Sequence, residues 1–289
     1  MTIKYIITVL LFLLGNSIYS YPSYHGLLLP NSSYELLSND SNYEFSTHIL
    51  TNSDYSSNLA TTLFTLPHNI SIGAFQYIHT SKKYYNATNL SIINYGSFDD
   101  SESGYTFSSE DYILKNTLFY QLDPQLYSSL GCKYIHSNID NFTADAITFK
   151  LAVYYHYQNF LIQLFSDNLG LVINSYTDFD ENLPIIHGLK IMYSPKYLKS
   201  ILSLKYDYFN EQKIFYLSYE LLSFKYASFY IGHSSLSSNL YYGDFDNDFF
   251  TGLSFGIGTQ YKDFSINLAG KNLGPLGLIK SITITKLIN

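Results

Sequence analysis

Cysteine occurs once in these 289 residues, at Cys132, and tryptophan does not occur at all. A lone cysteine excludes a disulfide framework. Its place deep in the chain also argues against a lipid anchor on a cleaved N-terminus. Charge is scarce: Asp, Glu, Lys and Arg make up 13% of the chain, where about 25% is usual for a soluble domain. The net charge of −7 comes without a basic patch, which argues against nucleic-acid binding. No apolar run reaches the roughly 18 residues that a transmembrane helix needs. There is no Gly-x-Ser-x-Gly elbow and no phosphate-binding glycine loop. Catalytic, cofactor and metal sites therefore find no support in the sequence, and the reading is of a protein that is not an enzyme.

What the chain has in quantity is aromatic residues and alternation. Tyr and Phe number 31 and 21, and a tyrosine suits the membrane–water interface because its ring favours headgroups and its hydroxyl favours water. Short segments with a two-residue period run almost to the last residue. In Leu202–Ser203–Leu204–Lys205–Tyr206–Asp207–Tyr208, the leucines and tyrosines share one face and Ser203, Lys205 and Asp207 the other. Likewise Ile147, Phe149, Leu151, Val153, Tyr155 and Tyr157 oppose Thr148, Lys150, Ala152, Tyr154 and His156. A long series of such strands is either a sandwich around a dry core or a barrel with its apolar face in lipid.

The N-terminus favours the barrel. Lys4, the apolar residues 5–14 and the small residues 15–20 have the layout of a secretory signal peptide. The expected organisation is a signal peptide over 1–20, a short periplasmic lead or reduced plug over 21–41, and a barrel over 42–289. Alternating candidates lie near 42–52, 58–66, 69–79, 87–96, 111–121, 126–136, 146–158, 160–167, 185–193, 200–209, 213–221, 223–232, 249–260, 263–270 and 278–287. Bacterial barrels prefer an even number, so one early candidate is expected to be loop or plug. The fold class is an all-β, transmembrane, antiparallel up-and-down barrel of about 14 strands in the bacterial outer membrane. The polar stretches 99–110 and 234–248 read as outer loops, and Leu122–Asp123–Pro124–Gln125 and Lys262–Asp263 as tight inner turns. In the strand near 249–260, Gly252, Ser254, Gly256 and Gly258 are expected to face the lumen and Thr251, Leu253, Phe255 and Ile257 the lipid.

Several stretches occur in a family order. Ile93–Asn94–Tyr95–Gly96–Ser97–Phe98–Asp99–Asp100 is followed by Ser109–Glu110–Asp111–Tyr112, then by Leu130–Gly131–Cys132–Lys133–Tyr134–Ile135. Asp167–Asn168–Leu169–Gly170 reads as a turn, Leu183–Pro184 precedes a strand, and Thr251–Gly252–Leu253–Ser254–Phe255–Gly256–Ile257–Gly258 forms one. Gly274 and Gly277 precede the last strand, Ser281–Ile282–Thr283–Ile284–Thr285. On these residues, about 60–289 of the chain resembles the PorV/PorQ outer-membrane barrels, PorQ more closely, which are related in fold to the FadL transporters. The resemblance implies work with type IX protein secretion, in cargo handling or surface attachment. The partners it implies are outer-membrane lipid and secretion-system proteins or secreted cargo, and no nucleic acid. The outer-loop acids Asp99, Asp100, Glu102, Asp244, Asp246 and Asp248 are then candidate partner contacts. Family members carry Arg/Ala-Leu-Gly-Gly and Asn-Pro-Ala near the N-terminus, where a hatch forms. Here only Pro30–Asn31 stands in that region.

The alternating acids Asp244, Asp246 and Asp248 resemble the start of a calcium loop, but Phe249 and Phe255 stand where its Gly and bidentate Glu belong. The eight histidines show no metal spacing. Lys115, Lys133, Lys150, Lys205 and Asp207 are expected to face the lumen and to pair with one another or with water. Two other functions compete with secretion: a FadL-like passive channel for hydrophobic small molecules, and a soluble secreted β-sandwich or adhesin.

Overall fold

The computed structural model describes residues 24–51, 57–81, 84–99, 105–176, 181–209, 212–222, 227–235 and 250–288. The expected signal peptide and most of the 234–248 loop lie outside them. Fourteen strands among the described residues form one closed antiparallel barrel. They are β1 (Ser57–Thr65), β2 (Ser71–Thr80), β3 (Tyr84–Asp99), β4 (Thr106–Asp123), β5 (Leu126–Ile139), β6 (Phe142–Tyr157) and β7 (Phe160–Asn174), then β8 (Ile186–Tyr193), β9 (Ser200–Phe209), β10 (Gln212–Leu221), β11 (Ala227–Ser234), β12 (Leu253–Tyr261), β13 (Phe264–Asn272) and β14 (Leu278–Ile288). Neighbours in sequence are neighbours in the sheet, and β1 closes the ring on β14, with Ser57 opposite Ile288. Closure gives every strand a partner on both sides, although β7 beyond Asp167 has none on its β8 side.

The two-residue period decides which face each side chain takes. On β9, Leu202 and Leu204 are exposed while Ser203, Lys205 and Asp207 are buried in the lumen. On β6, Phe149, Leu151 and Tyr155 face out and Thr148, Lys150, Ala152 and Tyr154 face in. The outer face is a belt of exposed Leu, Ile and Phe, among them Leu63, Phe75, Leu114, Leu130, Phe215 and Ile231. Only lipid covers such a surface without cost. Cys132 is exposed on the same face of β5. Exposed aromatics gather near both ends of the belt: Tyr84, Tyr120, Tyr155, Tyr157 and Tyr261 at one, Phe98, Tyr105, Tyr134 and Phe142 at the other.

Both ends of the barrel sequence, Ser57 and Ile288, lie at the end that carries the short turns 124–125, 158–159 and 262–263. The longer connections 100–105, 175–185 and 235–252 lie at the opposite end. In an outer-membrane barrel this asymmetry puts the short turns in the periplasm and the long loops outside. The tight turns fall at the end foreseen for them. Residues 106–110 of the expected 99–110 loop are instead the start of β4, paired with β3, and most of the expected 234–248 loop lies outside the described residues.

Three local expectations are corrected. The first candidate strand, near 42–52, is a helix, and the barrel begins at Ser57 rather than at 42. Tyr43, Phe45, Ser46, Ile49 and Leu50 are the buried positions of that helix, a three-and-four spacing that a short alternating window imitates. A ring closed by β1 and β14 also offers no edge for a further strand. Second, Asp167–Asn168–Leu169–Gly170 is a bulge inside β7, not a turn after it. Phe149 pairs with Leu169 and Leu151 with Ser166, so β7 carries one extra residue opposite Lys150. Asn168 takes a left-handed conformation (φ 58°), and Asp167 and Asn168 both turn inward. Third, Thr251 is buried beside Gly274 rather than lipid-facing.

Candidate functional site

The lumen is filled by the chain's own N-terminal segment. A short 3-10 helix (His25–Leu28) leads to α1 (Ser33–Ser38) and α2 (Tyr43–Thr51). Ser32 caps α1 by accepting from the Glu35 N–H at 3.1 Å, and Glu35 in turn accepts from the Asn31 N–H at 2.9 Å. Asn39 ends α1 in a left-handed conformation (φ 49°). The turn at residues 39–42 is held by Asp40, whose carboxylate accepts from the Asn42 N–H at 2.9 Å. The plug therefore runs through 24–51, longer than the 21–41 lead expected from sequence.

Three layers bind it to the wall. On the loop side, Tyr24, Leu27, Leu36 and Leu37 pack with Phe64, Ile72, Ile93, Ile113, Ile135 and Tyr230. On the periplasmic side, Tyr43, Phe45, Ile49 and Leu50 pack with Ile78, Tyr85, Phe119, Tyr154, Leu161 and Met192. The Phe45 ring centroid is 3.9 Å from that of Phe119 and 5.3 Å from those of Tyr85 and Tyr154.

Between these apolar layers lies a ring of six buried lysines: Lys115, Lys133, Lys150, Lys190, Lys205 and Lys271. Five of them donate to three consecutive plug residues. Lys190 Nζ reaches Asp40 at 2.6 Å, Lys205 the Asn39 carbonyl at 2.6 Å, and Lys271 the Asn39 side chain at 3.2 Å. Lys115 reaches the Ser41 carbonyl at 3.4 Å and Lys150 the Ser41 hydroxyl at 2.6 Å. Lys133 pairs with Asp167 at 2.8 Å and donates to Asn168 at 2.7 Å, and Lys150 lies 3.6 Å from Asp167. The β7 bulge thus delivers both of Lys133's acceptors. Lys205 also pairs with Asp207 at 2.6 Å. Aromatic faces complete the surroundings: Lys190 lies over Tyr43 and Lys205 over Tyr216, each at 5.1 Å.

Polar contacts tie the rest of the plug down. The Ser33 N–H donates to Thr283 at 3.0 Å, Ser91 donates to Asn31 at 2.6 Å, and Tyr43 donates to Glu220. Desolvation raises the Asp40 carboxyl, but Lys190 and Lys150 outweigh it and hold the group well below the usual carboxylate range. Glu44 is the opposite case. Its Oε2 is enclosed without a hydrogen-bond partner, and burial with no cation beside it pushes the carboxyl up to about 7. Glu44 borders a polar cavity of about 20 Å³ between plug and wall, with Gln76, Asn89, Lys115 and Thr117 around it. That is room for about one water molecule.

Of the lumen residues named from the sequence, Lys115, Lys133, Lys150, Lys205 and Asp207 all face inward. Lys205 and Asp207 pair with one another as expected, Lys133 pairs with Asp167, and Lys115, Lys150 and Lys205 donate to the plug. Lys190, Lys271 and Asp167 escaped the sequence reading. Leu189–Lys190–Ile191 carries the alternation that signals a lumen lysine, whereas Asp167 turns inward only because of the bulge. Asp40 gave no signal, since nothing local marks a plug. Among the outer-loop acids, the backbone of Asp99 ends β3 opposite Thr106. Asp100, Glu102, Asp244, Asp246 and Asp248 lie outside the described residues. Among the described residues, no group of three or more His, Cys, Asp or Glu is arranged to hold a metal ion.

No protein-family model and no curated protein sequence matches the chain. Solved structures do. The CymD monoaromatic hydrocarbon channel aligns with a TM-score of 0.61 at 8% identity, over 91% of this chain and 98% of that one. The Ralstonia pickettii toluene transporter TbuX aligns at 0.60 and 9% identity, over 91% and 99%. The Pseudomonas putida toluene transporter TodX aligns at 0.50 and 11% identity, over 93% and 98%. These likenesses do not support the narrower resemblance to PorV/PorQ. They and the apolar belt support a coarser conclusion: the chain has the fold of a bacterial outer-membrane β-barrel of 14 strands.

Proposed function

We propose that this protein is a passive outer-membrane channel for hydrophobic small molecules, closed in this structure by its N-terminal plug. The observation that carries the reading is the fold likeness to hydrocarbon channels along nearly the whole length of both chains. The two apolar layers of the lumen agree with it, because each is a surface that an apolar solute can occupy once plug side chains yield. No constellation of the lysine ring offers a nucleophile with a base beside it, so transport fits the site better than catalysis.

The test uses vesicles whose outer leaflet carries lipopolysaccharide, since apolar solutes cross plain lipid unaided. Vesicles holding the protein are expected to accumulate a monoaromatic probe faster than protein-free vesicles. Equal rates reject the channel. Type IX cargo handling through the outer loops rests on motif order alone. Co-purification with secretion-system components would revive it.

A further inference from the structure

The lysine ring is assembled against electrostatic preference. Lys115 stands directly opposite Lys133 across β4 and β5, and Lys190 directly opposite Lys205 across β8 and β9. Like charges in such positions destabilise a sheet. At this level the wall supplies six ammoniums and two carboxylates, Asp167 and Asp207. The other buried wall acids are engaged elsewhere: Asp111 with Tyr95 and Ser137, Glu220 with Tyr43. Among the described residues, neither Lys115 nor Lys271 has a carboxylate within ion-pair distance, although they are only 4% and 8% exposed. The plug has the complementary sign. Residues 24–51 contain Glu35, Asp40 and Glu44 and no Lys or Arg, and Asp40 is the plug carboxylate that reaches the ring.

We propose that the lysine ring is an anion-selective constriction, and that the acidic plug is its tethered counterion. When the plug yields, chloride and small carboxylates enter the level that Asp40 vacates, while cations are excluded. A ring of ammoniums inside a low-dielectric wall acts on a passing ion far more strongly than the same charges do in water. When the lumen is closed, neutral plug oxygens solvate Lys115, Lys150, Lys205 and Lys271, and Asp40 is the plug group that neutralises a ring lysine, Lys190. The inference rests on the channel reading only for the release of the plug, and it concerns ions at the ring rather than the apolar solute.

The experiment records single-channel currents across planar bilayers under a potassium chloride gradient, with the full chain and with Asp40→Asn. The substitution is expected to raise open probability by roughly tenfold or more, because it leaves the buried Lys190 without its counterion. The open channel should show a reversal potential on the chloride side, displaced further by sodium benzoate than by sodium gluconate, whose larger anion fits the ring less well. Adding Lys115→Gln and Lys271→Gln should move the reversal potential toward zero. Cation-selective or unselective openings overturn the proposal. So does an Asp40→Asn barrel that migrates as folded yet stays as silent as the parent. If that variant does not fold, voltage-driven openings of the unsubstituted chain give the same reading of selectivity. Failure of aromatic-probe uptake with anion selectivity intact would reject the hydrophobic channel and leave this ring standing.

Discussion

At the scale of single residues, the plug is held by a few anchors whose costs can be stated. Phe45 is buried among Phe119, Tyr85, Tyr127 and Tyr154, and Phe45→Ala should weaken plug docking by about 3–5 kcal/mol. A raised leak conductance in bilayers would report it, and an unchanged leak would show that the aromatic cage does not hold the plug. Glu44 and Asp40 respond to pH in opposite directions. Glu44, raised to about 7 by burial, favours docking while it is neutral. Its penalty is absent below the ordinary carboxylate value of 4.5, grows above it, and is complete once pH passes about 7. Asp40, held low by Lys190 and Lys150 against its desolvation, contributes throughout that window and loses its contribution only in strong acid. The leak should therefore rise between about pH 4.5 and about pH 7, and Glu44→Gln should flatten the rise. Cys132, exposed on the lipid face, should react with a membrane-soluble maleimide and resist a membrane-impermeant charged one in intact membranes.

Among elements, β7 is where a local irregularity positions chemistry. Its extra residue turns Asp167 and Asn168 together into the lumen, where they receive Lys133 at 2.8 and 2.7 Å. Beyond the bulge, Asn168 ties back to the Pro184 carbonyl at 2.9 Å, and β8 joins β7 only from Asp167 downward. The close β6–β7 approach depends on Gly170, where an added Cβ would sit 2.0 Å from the Ile147 carbonyl oxygen. Backbone cannot move aside as a flexible side-chain end can, so Gly170→Val should abolish the folded, heat-modifiable band on a gel. Gly73, whose Cβ would meet nothing within 4 Å, should tolerate Ala with the band intact. Although the expected 111–121 strand starts five residues late and the expected 160–167 strand ends seven residues early, most strands were legible to within a few residues because each alternates. The bulge was not, since Asp167–Asn168–Leu169–Gly170 has the composition of a turn and only its pairing with β6 makes it strand.

For the whole molecule, the exterior and the lumen obey opposite rules. The exterior is apolar, so the protein should stay insoluble without detergent and should migrate differently before and after boiling. Free solubility would argue for a sandwich instead. The lumen is polar at its middle and apolar above and below, and its occupant is covalently part of the same chain. A wall carrying six buried lysines needs that occupant, or another source of negative charge and oxygen ligands, to be stable.

What the sequence by itself determined is the barrel. A two-residue period is a property of neighbouring residues along one strand, so it can be read locally. The low charge, tyrosine content and signal-peptide layout then turned its apolar face to lipid, and the even-number preference took fifteen candidates to fourteen. What only the tertiary structure decided is the plug and the lysine ring. Residues 43–51 are helix rather than strand because their buried positions follow a three-and-four spacing and the β1–β14 closure leaves no edge for them to join. Lys115, Lys150, Lys190, Lys205 and Lys271 meet at residues 39–41 because closure brings five distant strands around one turn. That convergence depends on the diameter and register of a closed sheet, which no segment of the chain specifies alone.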